Sequence, residues 1–328
     1  MKKFLLFFLL IKISASFAVI RTVSNDINIP AQFTTYDAAY TASAAGDTIY
    51  LHGSSTNYIM AGSFIGKAIT IIGPGFNPDK QYKLPASFST NINITVSNVY
   101  IYGINNKTNF ISLNAGVTNC TISRCYFGNI TMFNNNTNIL IEGCCWQTGT
   151  VFFFSGLNNT LINCVINRLV FNAGTQNCTI DHNTILAFGI DFSNLTNSWV
   201  SNNLFYPGVS INPANNNSFN NNLYAAGPVV LPGLGNVGAA NIQGTALFTD
   251  YSAVRPFYYY SNFSLTAASP GKNISTDGTD AGATGGGNPF ASEGEVKTIP
   301  IIREMDIMTP IVPSPGNISV HIRATQPK

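Results

Sequence analysis

"NCTIDHNTI", residues 177–185, sets Asp181 beside His182, an acid next to a base. The same nine-residue phrase returns in altered form along the chain: "NVYIYGINN" from Asn98, "NCTISRCYF" from Asn119, "NILIEGCCW" from Asn138, "NNTLINCVI" from Asn158, "NSWVSNNLF" from Asn197 and "NNSFNNNLY" from Asn216. Successive openings stand 21, 19, 20, 19, 20 and 19 residues apart. A period so regular marks a repeat architecture, and each residue has to be placed in the repeat before it is read as chemistry.

The fourth residue of each phrase is apolar, from Ile101 through Ile122, Ile141, Leu161, Ile180 and Val200 to Phe219. The ninth is large and apolar except at Asn106, and the seventh runs Ile104, Cys125, Cys144, Cys164, Asn183, Asn203, Asn222. A second strand is expected before each phrase, with Phe133, Phe153, Phe192 and Ile211 five residues ahead of the next Asn. Short alternating runs between Asn-rich turns, with no helical period, predict β structure. Identical residues recurring at one register stack in parallel, so the expected fold is all-β, a right-handed parallel β-helix whose coils rise by about 4.8 Å. Its inward columns would be aliphatic stacks and Asn ladders, and Asn at the corners tolerates the left-handed backbone of tight bends.

Three further segments carry a family resemblance. "TTYDAAYTASAAGDTIYLHGSSTNY", 34–58, is similar to a capping helix and first coil, with Thr34 or Thr35 as N-cap and a strand after Gly46-Asp47. "KAITIIGPG", 67–75, resembles a second coil, and "LFTDYSA" from 247 with "NFSLTAASPGKNISTDGTDAGATGG", 262–286, resembles a closing segment. Together with the repeats they resemble the secreted bacterial right-handed parallel β-helix proteins of the pectate-lyase-like superfamily. That resemblance implies a fold over about 34–290. It does not choose a function, because the superfamily holds lyases, hydrolases, adhesins and scaffolds.

The N-terminus, "MKKFLLFFLLIKISASFA", has two lysines, a short apolar run and small residues before Ala18, so a signal peptide over 1–18 with a cut after Ala18 is expected. The β-helix would then occupy 19–290, with the clear repeats over 98–225, and 291–328 would form a C-terminal strand-pair cap over the last coil. No later segment reaches transmembrane length. The expected location is outside the cell or on its surface.

Only 9% of residues are charged and the formal net charge is +2, with no basic stripe for a phosphate backbone, so nucleic acid is not an expected partner. All six cysteines lie between 120 and 178, and parallel stacking points them the same way, which predicts free thiols in a ladder rather than disulfides. No CxxC or Cys/His cluster suggests a metal, and no cofactor motif is present.

The candidate site residues sit at the outward positions. Arg124, Glu142, Asp181 and His182 fall at the fifth and sixth places of their phrases and are expected to be solvated, Arg124 and Glu142 as a surface ion pair. Glu142 and Asp181 would lie two coils apart, about 10 Å, near the upper limit for the two carboxylates of an inverting glycoside hydrolase. The enzymatic relatives imply more than this: an acidic cluster around calcium with an Arg or Lys base, or several Asp on neighbouring coils. Tyr100 and Trp199 share the third column, where rings can stack on sugars. That column also holds Thr121, Thr160, Thr179 and Ser218, but Leu140 and Trp199 interrupt any flat hydroxyl array. The sequence thus points to a non-catalytic structural, surface or glycan-binding protein with polysaccharide or cell-surface partners. The alternative is a polysaccharide lyase or glycoside hydrolase acting on the outer face.

Overall fold

The computed structural model describes residues 18–77, 84–146, 151–186, 190–206, 209–210, 215–226, 230–233, 235–251, 261–292, 294, 301–307 and 320–325. The leader expected over 1–18 lies outside them apart from Ala18.

Each phrase supplies a strand of three residues held between two left-handed corners. The opening Asn has a positive φ in all seven phrases, from 49° at Asn197 to 61° at Asn98. The sixth residue does too, in Gly103, Arg124, Gly143, Asn163, His182, Asn202 and Asn221. Asn and Gly enter this conformation at little cost, whereas a β-carbon elsewhere costs about 1–2 kcal/mol, so the pair of corners fixes where the strand starts and stops. Arg124 and His182 are the two departures from that chemistry.

The strands stack in parallel as expected: Ile122 lies on Ile141, Ile141 on Leu161, Leu161 on Ile180 and Ile180 on Val200. With three earlier strands, Ile20–Val23, Thr48–Leu51 and Thr70–Ile72, the seven form one ten-stranded sheet that ends at Ser218–Asn220. The coil therefore begins before the visible repeat. Its early steps, Thr48 to Thr70 and Thr70 to Tyr100, are longer and hide the period. The region 73–97, between two of these strands, contains the strand Ile92–Ile94 of a second, twelve-stranded sheet. Successive parallel crossovers of this kind take the right-handed sense, and the molecule is the parallel β-helix that the repeat predicts.

The fourth-position column is fully buried from Ile101 to Phe219. Each such side chain contributes about 1.5–3 kcal/mol relative to exposure. The seventh column is one continuous ladder. Backbone N–H groups donate to the side chain one coil on: Cys144 to Cys164 Sγ at 3.4 Å, Cys164 to Asn183 Oδ1 at 3.0 Å, Asn183 to Asn203 Oδ1 at 2.8 Å and Asn203 to Asn222 Oδ1 at 3.0 Å. The Asn amides donate in turn to inward carbonyls, Asn203 to Ile180 at 2.7 Å and Asn222 to Val200 at 2.8 Å. Cysteine and asparagine are interchangeable here because each offers an acceptor to the coil below and a donor to a carbonyl. All six cysteines are free and buried. Burial pushes the Cys125, Cys145 and Cys164 thiols up, and Cys178 to about 11.

Thr35 caps the helix Tyr36–Ala42, accepting from Ala38 N at 3.3 Å, and Tyr36 and Ala39 close the N-terminal end of the core. One register expectation fails. Phe133 is 49% exposed and Met132 is inward in its place, with Phe154 and Phe171 continuing that column; Phe192 is buried where its spacing puts it, and Ile211 lies outside the described residues. The link from this column to the next Asn varies by a residue or two between coils, so counting back five places misassigns Phe133.

The closing segment differs most from expectation. It does not end the solenoid but turns at the pairing of Phe248 with Leu265 and runs back along it as a strap. Asn221 donates to Ile274 O at 2.6 Å, Asn202 accepts from Thr276 N at 2.9 Å, and Thr184 Oγ1 accepts from Ala283 N at 2.9 Å. Further on, Asn163 donates to Gly285 O at 2.8 Å, Arg124 to Asn288 Oδ1 at 2.9 Å, and Phe290 stacks on Phe76 at 6.1 Å. The strap covers the apolar eighth-position column, where Tyr126, Cys145 and Val165 pack with Phe263, Ala283 and Phe290, and Leu204 and Leu223 with Leu265 and Ala281. The expected C-terminal strand pair exists, Ile301–Ile307 antiparallel to Val320–Thr325. Gly294, the last described residue before it, lies beside Phe76 in the N-terminal half of the solenoid.

Candidate functional site

Two places bring the sequence candidates together. The first is the corner under the strap. Asp181 ends a strand and His182 occupies the left-handed corner after it, at φ 48°. The His182 ring is buried, which overturns the expectation of a solvated pair. Its Nδ1 lies 2.9 Å from Asp181 Oδ2, and its Nε2 lies 3.4 Å from Thr279 Oγ1 and 3.7 Å from Asp277 Oδ1 on the strap. Asp181 Oδ1 accepts from Ser201 Oγ at 2.9 Å and from Asn202 Nδ2 at 2.8 Å. Both carboxylate oxygens are therefore engaged by fixed donors.

An Asp–His–Thr line has the outline of a nucleophile triad, but Thr279 Oγ1 donates to Asp277 Oδ1 at 2.6 Å and accepts from Gly286 N at 2.7 Å. Its hydroxyl is spent on the loop. Burial raises the Asp277 carboxyl, while the Thr279 hydrogen bonds and then His182 draw it below the usual value overall. The set clamps the strap to the helix. Thr279, Asp277, Ser201 and Asn202 belong to it and were not singled out in the sequence.

Arg124 holds the other end of the strap. It is 2% exposed and donates to Asn288 Oδ1 and, at 3.4 Å, to Pro289 O, so it is an anchor and not a surface residue. Glu142 and Asp181 share the fifth column two coils apart with Ile162 between them, as the register predicts. Glu142 is half-buried, and Tyr102 in the same column has its phenol raised by burial, then by Tyr100 and Glu142. Among the described residues no three His, Cys, Asp or Glu side chains converge as a metal site. A shallow pocket of about 270 Å³ lies at another corner, lined by residues such as Asn134, Ser155, Leu157 and Gln176, with no ionisable side chain.

The second place is the outward face of the ten-stranded sheet. Its third column reads Thr48, Thr70, Tyr100, Thr121, Leu140, Thr160, Thr179, Trp199, Ser218 in pairing order. Trp199 is 61% exposed and Tyr100 is half-buried. Five coil steps separate them, about 24 Å. No cation stands in this column or in the fifth column beside it between Tyr100 and Asn220.

The chain is similar to pectate lyase Pel9A, with 14% identity, covering 82% of this chain and 96% of that one, at a TM-score of 0.43. It is also similar to a rhamnogalacturonan lyase, with 12% identity, 65% and 69% coverage and a TM-score of 0.30. No family model matches the chain, and no curated protein matches it. Likeness of this degree assigns no chemistry to this chain, in which no helix of the described residues is long and apolar enough to cross a membrane.

Proposed function

We propose that the protein is an extracellular, non-catalytic β-helix that binds an extended, neutral polysaccharide along the outward face of its ten-stranded sheet. The observation that carries this is the third column itself: hydroxyl side chains in line, with an exposed indole at Trp199 and a phenol at Tyr100 on the same face. Aromatic faces take up the apolar face of a sugar ring while hydroxyls and amides satisfy its edges. A uronate chain would need lysine or arginine opposite its carboxylates, and the two outward columns offer only Glu142 and Asp181 as charges. Catalysis finds no support in the same geometry. Asp181 is committed to Ser201, Asn202 and His182, which leaves no free acid–base pair with Glu142.

The chain has two tryptophans, Trp146 buried and Trp199 exposed, so quenchable fluorescence reports the face directly. Neutral polysaccharides such as β-glucans should shield Trp199 from iodide, while polygalacturonate should not. Trp199→Ala should weaken binding at least tenfold with the thermal transition unchanged. Release of unsaturated products or reducing ends from any polymer would replace this reading with the enzymatic one.

A further inference from the structure

The geometry points to a socket for a processed N-terminus: we infer that hydrolysis of the Ala18–Val19 peptide bond by a leader peptidase leaves a Val19 ammonium that pairs with the buried carboxylate of Asp47. Water adds across the bond, giving an Ala18 carboxylate on the leader and the α-amino group of Val19 on the mature chain. The inference is independent of the glycan-binding reading.

Three observations converge on this atom. Val19 N donates to Asp47 Oδ1 at 2.9 Å, and Val19 O accepts from Thr48 N at 2.9 Å, so the residue is held on both sides of its Cα. The first strand starts at Ile20, one residue after the bond, so the new terminus would stand at the edge of the first coil. The Asp47 side chain is only 3% exposed, and it also accepts from Ala44 N at 3.0 Å and from Arg21 Nη2 at 3.0 Å. The Val19 and Ala44 N–H groups, ahead of Arg21, hold its carboxyl below the usual range.

In the precursor the Val19 nitrogen is a neutral amide offering one hydrogen. After cleavage it carries a charge and three hydrogens, one aimed at Asp47. Val19 is 44% exposed, so the others have solvent and the ammonium need not be stripped of water. The charged groups facing it are Asp47 and Arg21. Lys67 nearby is occupied by the carbonyls of Tyr40, Thr41 and Ser43.

An α-amine titrates near about 8 when unpaired. Pairing raises that value, so the stabilisation is complete below about pH 8 and disappears as pH rises through the higher folded value. At the acid end it is lost as pH falls through the lowered Asp47 value.

The test uses the exported protein and three forms of it. Intact mass should place the first residue at Val19; a different start overturns the inference. Thermal midpoints are then compared for the mature chain and for a chain retaining Ser16-Phe17-Ala18. The mature chain should melt a few degrees higher at pH 6, with the gap closing by about pH 10. Equal midpoints at pH 6, or a gap independent of pH, would overturn it. In the Asp47→Asn background the gap should vanish. If that variant does not fold, acylation of the α-amine in the mature chain decides: its pH midpoint should lie above about 8 in the folded protein and drop on denaturation, and an unshifted midpoint counts against the socket.

Discussion

His182 Nε2 lies 3.4 Å from Thr279 Oγ1, although 97 residues separate them. The contact is possible because glycines line the strap where it crosses the ring. A β-carbon on Gly285 would stand 2.9 Å from His182 Cδ2 and 1.9 Å from Asp280 O.

Gly285→Ala is therefore expected to lift the strap, at a cost of about 1–3 kcal/mol as an overpacked contact. Gly287→Ala, with nothing within 4 Å, should be silent. Limited proteolysis of the 275–290 segment together with thermal melts distinguishes the two, and equal behaviour would mean that the strap does not press on His182.

Replacing Asp181 and His182 together by Asn should cost about 2–3 kcal/mol, since a buried ring and a half-buried carboxylate of the clamp lose charge-assisted hydrogen bonds. Asn keeps the corner, being the residue at Asn163, Asn202 and Asn221, so backbone strain does not enter. Glycan binding at Trp199 should be retained. A melting temperature equal to that of the parent protein would mean that the pair is solvated after all.

Asn203→Asp should destabilise by several kcal/mol, because the residue at 203 faces Ile180 O and Ser201 O as a donor and the carboxylate has no hydrogen to give. Asn202→Asp, outward by sequence, should cost nearly as much, since the Asn202 amide donates to Asp181. Its penalty should shrink when Asp181→Asn is added, whereas that of Asn203→Asp should not. Denaturant midpoints of the three single and two double variants, beside the parent, supply the two cycles.

Thiol titration of the denatured, unreduced protein should find six free cysteines, and the native protein at pH 8 should react slowly, with Cys178 raised to about 11. Raised folded values mean that stability is intact below about pH 9, the ordinary thiol value, and declines above it as unfolded thiols ionise first. Tyr58 and Tyr251, both raised to about 12, extend the decline. Melts from pH 8 to 11 check the slope, and a flat profile would contradict buried thiols.

The sequence by itself determined the coil. An inward residue in a stacked solenoid meets its own counterpart one turn away, so Ile101 to Phe219 and Cys125 to Asn222 carry their structural role in their spacing. The corners are equally local, because a left-handed backbone selects Asn and Gly wherever it occurs. Phe133 was misplaced, though Phe192 was not, because link lengths are not repeated. The strap, and with it the state of Asp181, His182 and Arg124, was decided only by tertiary structure. Contacts between 274–290 and coils a hundred residues earlier leave no period, since each strap residue meets a different coil once. One trace did remain. In Cys144-Cys145-Trp146 and Cys164-Val165-Ile166 three consecutive apolar residues cannot all face the core of a pleated strand, so the middle one requires a cover from elsewhere in the chain.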